Sequence, residues 1–222
     1  MGTSTVVVRP NPERQVDPDC GSRPVSLEDA QLIEKVKAGQ TEAYGELVRK
    51  YQDRVFNACW RICGHLEDAR DLTQEAFLKA YEGFATFRQQ SGFYTWIFRV
   101  AVNLALSQRR NAKRRRAVSL DQSCEVTGTQ ADRLAQRVGQ RTESSDPAHS
   151  ASEAELQGFV ARALQKLEDD HRAVVVLRDI EGLDYQEIGE VLDIPPGTVK
   201  SRLHRARMAL RQAILPRLTR ED

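Results

Sequence analysis

Basic side chains that could bind nucleic acid are concentrated in two blocks of this sequence. Residues 99–116 and 196–220 each hold seven lysine or arginine residues and no acidic residue. Such side chains neutralise phosphates, and in the major groove they also hydrogen-bond to guanine edges. The formal net charge of the whole chain is only +1, because acidic residues elsewhere balance the two blocks. Near-neutrality therefore does not exclude a nucleic-acid partner.

The second block is predicted to form the recognition helix of a helix-turn-helix. Asp184 and Glu187 form a capping-box pattern at the start of a short helix, which the Pro-Pro-Gly turn at 195–197 ends. The apolar residues of the next helix fall in one narrow arc, so its opposite face is polar and basic. This arrangement favours DNA binding, although a basic amphipathic helix can also be a solvated or partner-binding surface. The candidate DNA-binding residues are Lys200, Ser201, Arg202, His204, Arg205 and Arg207.

Aromatic residues lie immediately before the first basic block. Residues 84–98 include six of the fourteen aromatic residues of the chain. A basic track beside aromatic rings suits single-stranded nucleic acid, since the charges hold the backbone and the rings stack on unpaired bases. The same rings could instead be core residues beneath a helix, and their spacing alone does not separate the two interpretations.

An acidic helix is predicted over residues 66–82. One side of this helix would repel DNA, and it suits either solvent or the basic surface of another protein. The acidic residues are Glu67, Asp68, Asp71, Glu75 and Glu82.

Cys59 and Cys63 lie one helical turn apart, with His65 close by. The spacing is compatible with a metal or redox site, but both cysteines flank an apolar helical stripe, which favours small hydrophobic residues. The sequence leaves a redox role open. Four cysteines in 222 residues do not form the dense pattern of a disulfide-stabilised secreted domain. We therefore expect reduced thiols, no bound metal and a cytoplasmic location.

Signatures of catalysis and of membrane insertion are absent from the sequence. It contains no G-x-x-x-x-G-K-[ST] phosphate loop, no G-x-S-x-G nucleophile motif and no H-E-x-x-H zinc motif. It also contains no run of about 18 apolar residues, so we expect no direct membrane insertion. These observations predict a non-enzymatic protein without a cofactor.

The elements that must position these groups are all predicted to be helices. Glycines at positions 39 and 64 are expected to end the first two helices. The predicted fold class is all-α, with a four-helix domain and a helix-turn-helix domain joined by a flexible linker. The expected boundaries are a disordered tail at 1–25, the first domain at 26–116, the linker at 117–151 and the second domain at 152–218.

Four longer sequence strings, together with the pair Phe87-Arg88 in the first region, resemble the extracytoplasmic-function (group IV) sigma factors. DLTQEAFLKAY at 71–81 and FYTWIFRVAVN at 93–103 resemble their region 2. LRDIEGLDYQEIG at 177–189 and IPPGTVKSRLHRAR at 194–207 resemble their region 4. Both regions occur in the family order with a linker between them and no region 3. The resemblance covers roughly residues 27–116 and 153–215, and the pair of regions is far more specific than a helix-turn-helix alone.

The resemblance implies a dissociable subunit that directs bacterial RNA polymerase core to specific promoters and starts transcription there. Region 2 would bind the clamp helices of the largest polymerase subunit, and would recognise and melt the minus-ten element. Region 4 would bind the minus-thirty-five element through its recognition helix and would contact the flap of the second-largest subunit. The linker would thread toward the RNA exit path. An anti-sigma factor is the further partner that the family implies.

The resemblance also assigns roles to residues of region 2. The positions matching core-polymerase contacts are Asp71, Leu72, Gln74, Glu75 and Leu78. The positions matching minus-ten contacts are Phe87, Arg88, Phe93, Tyr94, Trp96, Arg99 and Asn103. Two residues depart from the family pattern. Ser107 stands where many members have an acidic residue, and Gly189 replaces a common alanine, which costs about 1 kcal/mol of helix propensity.

Two other classes of protein share parts of this pattern. A LuxR-like regulator has a similar Gly-Thr-Val-Lys stretch, but it usually carries an α/β sensor domain with strands, which residues 27–116 do not predict. A recombinase-like enzyme needs a nucleophile or metal-binding carboxylates beside its DNA-binding face, and the sequence places none there. A test of binding to core polymerase distinguishes the three hypotheses, because failure to bind core would contradict the sigma-factor hypothesis.

Overall fold

The computed structural model describes residues 26–87, 92–119 and 158–218. Within these ranges the chain consists of helices and the turns that join them, with no β-strand. The all-α fold class is therefore confirmed. The predicted tail at 1–25, most of the predicted linker and Arg88 lie outside the described residues.

The first helical unit has four α-helices, as the sequence predicts. They are α1 (Leu27–Lys37), α2 (Thr41–Cys63), α3 (Leu66–Glu82) and α4 (Phe93–Ser119), with a 3₁₀ turn at Phe84–Thr86. Gly39 and Gly64 adopt φ values of 91° and 83° where α1 and α2 end. Only glycine takes this left-handed conformation at no steric cost, which explains both predicted helix ends.

The second unit contains the predicted helix-turn-helix. It comprises α5 (described over 158–165), α6 (Asp169–Val175) with a π-helical continuation (Val176–Ile180), α7 (Tyr185–Leu192) and α8 (Pro196–Leu218). The predicted capping box is present, because the Asp184 side chain accepts from the Glu187 amide while the Glu187 side chain accepts from the Asp184 amide. These hydrogen bonds measure 2.8 and 2.9 Å.

The two units lie against each other rather than apart. Helix α7 packs on α4, and α6 with its π-helical continuation packs on α2. Buried apolar residues form one continuous cluster from Ile33 in α1 to Ala206 in α8. Hydrophobic patterning predicted the buried face of each helix, but it could not indicate that two separately recognisable units share one core. This packing determines which of the candidate surfaces are open.

Candidate nucleic-acid and polymerase interfaces

Helix α8 presents the basic face that the sequence predicts for DNA binding. Val199, Leu203 and Ala206 are buried against the rest of the unit. Arg202 is half-buried. The other candidates are exposed, namely Lys200, Ser201, His204, Arg205 and Arg207. A helix anchored on one face with cations on the other can enter a major groove without disturbing its own packing.

Two of the six recognition-helix candidates also bind acidic residues of their own unit. Arg207 forms a bidentate ion pair with Asp179, and its Nε lies 3.1 Å from Oδ2. The hydrogen bonds that Arg207 donates to the Asp179 carboxylate hold the pKa of Arg207 above its ordinary value. Arg202 Nη1 lies 3.1 Å from Asp170 Oδ2. Lys200 and Arg205 are therefore the more available cations for DNA phosphates or bases.

The turn of the helix-turn-helix explains the departure at Gly189. A Cβ on this residue would lie 2.8 Å from the backbone oxygen of Ile194, closer than real Cβ contacts allow. The Ile194 amide also donates to the Gly189 carbonyl across 3.0 Å. Glycine at this position lets the turn pass close to α7, which offsets its lower helix propensity.

The aromatic residues between 84 and 98 form a packed cluster in the first helical unit. Ring centroids of Phe84, Phe87, Phe93 and Trp96 lie 4.8–6.3 Å apart, in the offset and edge-to-face range. Phe93 is fully buried and Phe87 is 6% exposed, whereas Trp96 is half-buried. The core interpretation therefore applies to Phe93, whereas Trp96 keeps part of its side chain at the surface.

Tyr94 and Asn103, two minus-ten candidates, contact the second unit, and so does Thr95. The Tyr94 hydroxyl donates to both the backbone oxygen and Oε2 of Glu181, at 3.0 and 3.1 Å. Thr95 Oγ1 donates to Glu187 Oε1 across 2.9 Å. Asn103 Nδ2 lies 3.4 Å from a backbone oxygen of α7. Arg99, on the same helix, is exposed.

Arg54 joins this group although nothing in the sequence singled it out. Its guanidinium lies 4.6 Å from the centre of the Tyr94 ring. Its Nε lies 3.2 Å from Glu181 Oε2, and its Nη2 donates to the Glu181 backbone oxygen. The only sequence signal was its position one helical turn after Tyr51, and Tyr51 itself packs on the Tyr94 ring.

The basic track on α4 is partly neutralised by Asp169 of α6. Arg109 Nε lies 2.6 Å from Oδ1, and Lys113 Nζ lies 2.7 Å from Oδ2. Burial alone would raise the pKa of Asp169, but the hydrogen bonds from Lys113 and Arg109 outweigh it and hold the pKa below its ordinary value. This carboxylate is charged at neutral pH and competes with any phosphate for the same two cations.

Arg172 of α6 is a fully buried cation that sequence reasoning missed. It donates to four backbone oxygens, those of Ile62, Leu164, Gln165 and Leu167, at 2.7–2.8 Å. Burial lowers the pKa of Arg172 to about 10, so the side chain stays charged at neutral pH. Ile62 belongs to α2, so this residue ties the carbonyl end of that helix to the second unit. In the sequence it follows Asp169, Asp170 and His171, a charged run typical of an exposed helix start, so nothing there indicated a buried cation.

The acidic side of α3 forms an exposed strip. Asp71, Gln74, Glu75 and Leu78 all face solvent, and Leu78 is 59% exposed. Leu72, the fifth candidate for core binding, is instead 4% exposed and packs in the hydrophobic core. An apolar residue set among acidic side chains on one open face is suited to a protein partner with a basic surface.

Cys59 and Cys63 are buried in the core as free thiols. Burial raises the pKa of Cys59 to about 12, and it also raises the pKa of Cys63. Cys63 Sγ donates to the backbone oxygen of His65 across 3.2 Å. Both residues therefore act as small hydrophobic side chains, in agreement with the favoured interpretation.

The described ranges contain no group of three or more His, Cys, Asp or Glu side chains that could hold a metal ion. In the same part of the chain, no helix is both long and apolar enough to cross a membrane.

Comparison with known protein families identifies both units. Residues 47–115 match the family described as sigma-70 region 2, and residues 160–210 match sigma-70 region 4. The chain is 36% identical over 182 residues to the "ECF RNA polymerase sigma factor SigW" of Bacillus subtilis, covering 82% of this chain and 94% of that protein. It is 37% identical over 194 residues to the "ECF RNA polymerase sigma-E factor" of Escherichia coli K12, covering 87% and 98%.

Two solved structures share the fold. One is CnrH in complex with the cytosolic domain of CnrY, with a TM-score of 0.60 and 24% identity over 85% of this chain and 97% of that chain. The other is the sigma factor RpoE with the anti-sigma factor NepR from Bartonella quintana, with a TM-score of 0.57 and 22% identity over 77% and 96%.

Proposed function

Because the chain belongs to the extracytoplasmic-function sigma factors, which direct RNA polymerase core to promoters, we propose which of its surfaces bind the polymerase and the DNA. It is a transcription initiation factor and not an enzyme. The observation that supports the assignment of surfaces is the exposed basic face of α8. The same chain matches the region 2 family as well as the region 4 family, so this face does not belong to an isolated helix-turn-helix.

Region 4 binds the minus-thirty-five element by placing α8 in the major groove. Lys200, Ser201 and Arg205 lie on the exposed face, where side chains reach base edges and phosphates. His204 is exposed beside them. Arg207 and Arg202 contact DNA if they exchange their ion pairs with Asp179 and Asp170 for phosphates. The remainder of region 4 contacts the flap of the second-largest polymerase subunit.

Region 2 recognises and melts the minus-ten element with the aromatic cluster and α4. Trp96 is suited to stacking on an unpaired base because part of its ring is at the surface. Arg99 and Asn103 lie on the same helix and are exposed. Phe87 and Phe93 support this surface from beneath. Tyr94 can contact DNA only when region 4 moves away from it. Arg88 is the remaining residue of the proposed minus-ten set.

The exposed strip of α3 binds the clamp helices of the largest polymerase subunit. Asp71, Gln74 and Glu75 supply polar contacts, and Leu78 supplies an apolar anchor. Leu72 supports the strip from the core. We also propose that an anti-sigma factor holds this chain, by analogy with the solved complex of RpoE and NepR, and that the chain acts in the cytoplasm.

Reconstitution with purified bacterial core polymerase tests this function. The chain is mixed with core, genomic DNA fragments are transcribed, and the 5′ ends of the transcripts are sequenced. We expect start sites that share two upstream elements at fixed spacing, and none with core alone. A chain that forms no complex with core, or a complex that initiates at no shared element, would contradict the proposal.

A further inference from the structure

Two carboxylates of α6 and its π-helical continuation hold arginines of the recognition helix α8. Asp170 Oδ2 lies 3.1 Å from Nη1 of Arg202. Asp179 accepts two hydrogen bonds from Arg207, and the one from Nε measures 3.1 Å. Both ion pairs lie within region 4 and join α8 to the helix that supports it. We call these two ion pairs the arginine clamps.

The π-helical continuation explains how both carboxylates reach α8. In an unbroken α-helix, Asp170 and Asp179 would lie about 180° apart, on opposite sides of the axis. The chain instead leaves the α-helix at Val176, whose carbonyl accepts from the Glu181 amide five residues later, across 3.0 Å. This wider turn rotates the chain less per residue, so the angle between the two carboxylates is smaller and both contact α8.

The arginine clamps divide the cations of the recognition helix into two groups. The Arg202 and Arg207 side chains are 31% and 52% exposed, so the clamped arginines lie at the surface and not in the core. Lys200 and Arg205 are also exposed, and within the described ranges neither forms an ion pair. All N–H donors of these two residues therefore face DNA uncommitted, whereas Arg207 has already used its Nε and one Nη.

A clamped arginine differs from a free one in both charge and freedom. The carboxylate offsets the charge of the guanidinium, which weakens its attraction to phosphates anywhere along a duplex. The bidentate pair of Arg207 also fixes the plane of the guanidinium, so its remaining N–H groups point in one direction. Such a side chain reaches a phosphate only where the duplex presents one at that place. A free arginine adapts to phosphates in many registers.

We propose that Asp170 and Asp179 are positioning residues that set the DNA specificity of region 4. By holding the clamped arginines in one orientation, they suppress binding to DNA of unrelated sequence. Non-specific complexes are held almost entirely by phosphate contacts and sample every register, so they lose most from the clamps. The complex with the minus-thirty-five element has one register and also gains from base contacts. This inference rests on the proposed function, because it takes α8 to be the helix that reads that element.

Neutralising the clamps one at a time tests this role. Asp170→Asn and Asp179→Asn keep the size of the side chain and remove its charge. The matched control is Glu190→Gln, which makes the same change in charge at an exposed position of α7. Binding of the full chain to a fluorescein-labelled duplex of random sequence is measured by anisotropy, at salt concentrations between about 50 and about 200 mM.

The salt dependence reports how many cations contact phosphates. We expect the slope of log affinity against log salt concentration to steepen by up to about 0.9 for each clamp variant and to stay unchanged for the control. The advantage of a clamp variant over the control should therefore grow about threefold as salt falls from about 200 to about 50 mM. Equal slopes in the clamp variants and the control would overturn the proposal.

A second duplex measures specificity. It carries the upstream element that is shared by the start sites of the transcription experiment and nearest to the expected minus-thirty-five position. We expect the ratio of affinities for this duplex and the random duplex to fall about threefold in each clamp variant, and to stay constant in the control. If Asp179→Asn instead weakened binding to the promoter duplex alone, the carboxylate would not suppress non-specific binding and the proposal would be wrong.

Arg207→Gln shows whether Asp179 acts through the clamped arginine. The gain of Asp179→Asn on the random duplex should disappear in a chain that also carries Arg207→Gln. A gain that persists would assign the effect to the overall charge, and would contradict the inference. Thermal unfolding followed by circular dichroism checks that each variant is folded. Should Asp179→Asn fail to fold, Asp170→Asn with Arg202→Gln provides the same cycle on the other clamp.

The wild-type chain separates this inference from the proposed function. A wild type that binds both duplexes equally would contradict the assignment of α8 to the minus-thirty-five element, and the inference with it. A wild type that prefers the promoter duplex, together with clamp variants that keep its slope and its affinity ratio, would overturn the role of the clamps alone.

Discussion

The Tyr94 hydroxyl of region 2 donates to both the side chain and the backbone oxygen of Glu181 in region 4, at 3.1 and 3.0 Å. The phenol ring also lies beneath the Arg54 guanidinium, which binds the same carboxylate. An aromatic residue predicted to contact unpaired promoter bases is therefore held by the other unit of its own chain. The predictions below examine this contact and the surfaces around it.

Tyr94→Phe should weaken the packing of the two units on each other while keeping the aromatic ring. A buried hydrogen bond to a charged acceptor is lost, and we expect the free energy of unfolding to fall by about 1–2 kcal/mol. Urea denaturation followed by circular dichroism measures this change. Tyr81→Phe, at a 43% exposed position of α3, is the control and should change stability little. Equal stabilities for the two variants would show that the Tyr94 hydroxyl contributes nothing to the packing.

Arg172→Ala should strongly destabilise the chain. The substitution removes four hydrogen bonds that the buried guanidinium donates to backbone oxygens, and we expect a loss of about 3 kcal/mol or more. Arg172→Lys should also destabilise, because a single ammonium group cannot reach all four oxygens. Lys166→Ala, an exposed substitution in the turn after α5, serves as the control in thermal unfolding. A loss below about 1 kcal/mol for Arg172→Ala would contradict the structural role.

Gly189→Ala and Gly45→Ala should change stability in opposite directions. Both glycines are helical, so propensity alone favours alanine by roughly 1 kcal/mol at each. At Gly45 the new methyl group meets nothing within 4 Å, and we expect stabilisation. At Gly189 it would lie 2.8 Å from the Ile194 backbone oxygen, and we expect a loss of about 1–3 kcal/mol. Thermal unfolding measures the stability of both variants. If both substitutions stabilise the chain, the Ile194 backbone does not pass as close to residue 189 as the structure places it.

Lys200→Ala and Asp71→Ala should separate DNA binding from polymerase binding. Lys200→Ala should weaken binding to a minus-thirty-five duplex by about 1–3 kcal/mol if it reads bases, and leave core affinity unchanged. If Lys200 contacts only phosphate, the loss should instead be uniform across sequences, with a shallower salt dependence. Asp71→Ala should weaken core binding and leave duplex binding unchanged. Fluorescence anisotropy measures the affinity of each variant for the duplex and for core polymerase. If Lys200→Ala instead weakened core binding and Asp71→Ala weakened duplex binding, the assignment of the two surfaces would be wrong.

The buried thiols should be unreactive in the folded chain and should destabilise it at alkaline pH. A Cys20→Ser, Cys124→Ser variant leaves Cys59 and Cys63 as reporters. Reaction with Ellman's reagent at pH 8 should be at least about 100-fold slower without urea than with it. Burial raises the pKa of Cys59 to about 12 from an unfolded value near 9, so its neutral form favours the folded state below pH 9. This contribution is lost as pH rises from 9 toward 12, and urea midpoints at pH 8 and 10.5 would reveal it.

Hydrophobic spacing, two glycines and one capping box were sufficient to predict the main helices that the structure describes. The glycines after α1 and α2 and the capping box at Asp184 act locally, because a left-handed residue or a side-chain cap needs only its chain neighbours. The apolar arc of α8 likewise identified its buried face, and the family strings identified both regions. The opposite basic face could be read in the same way, since helical periodicity alone places Lys200 and Arg205 on it.

What the tertiary structure decided is which groups meet across the two units. Arg54 binds Glu181 across 127 residues, Arg109 binds Asp169 across 60, and Arg172 binds the Ile62 carbonyl across 110, so no local pattern predicts these contacts. Helical periodicity states which side of a helix is polar, but it does not state which polar side another unit will cover. The sequence by itself therefore determined the helices, the two regions and their family. Only the packing of α6 and α7 on α2 and α4 decided that the minus-ten surface is partly covered while the core-binding and recognition helices stay open.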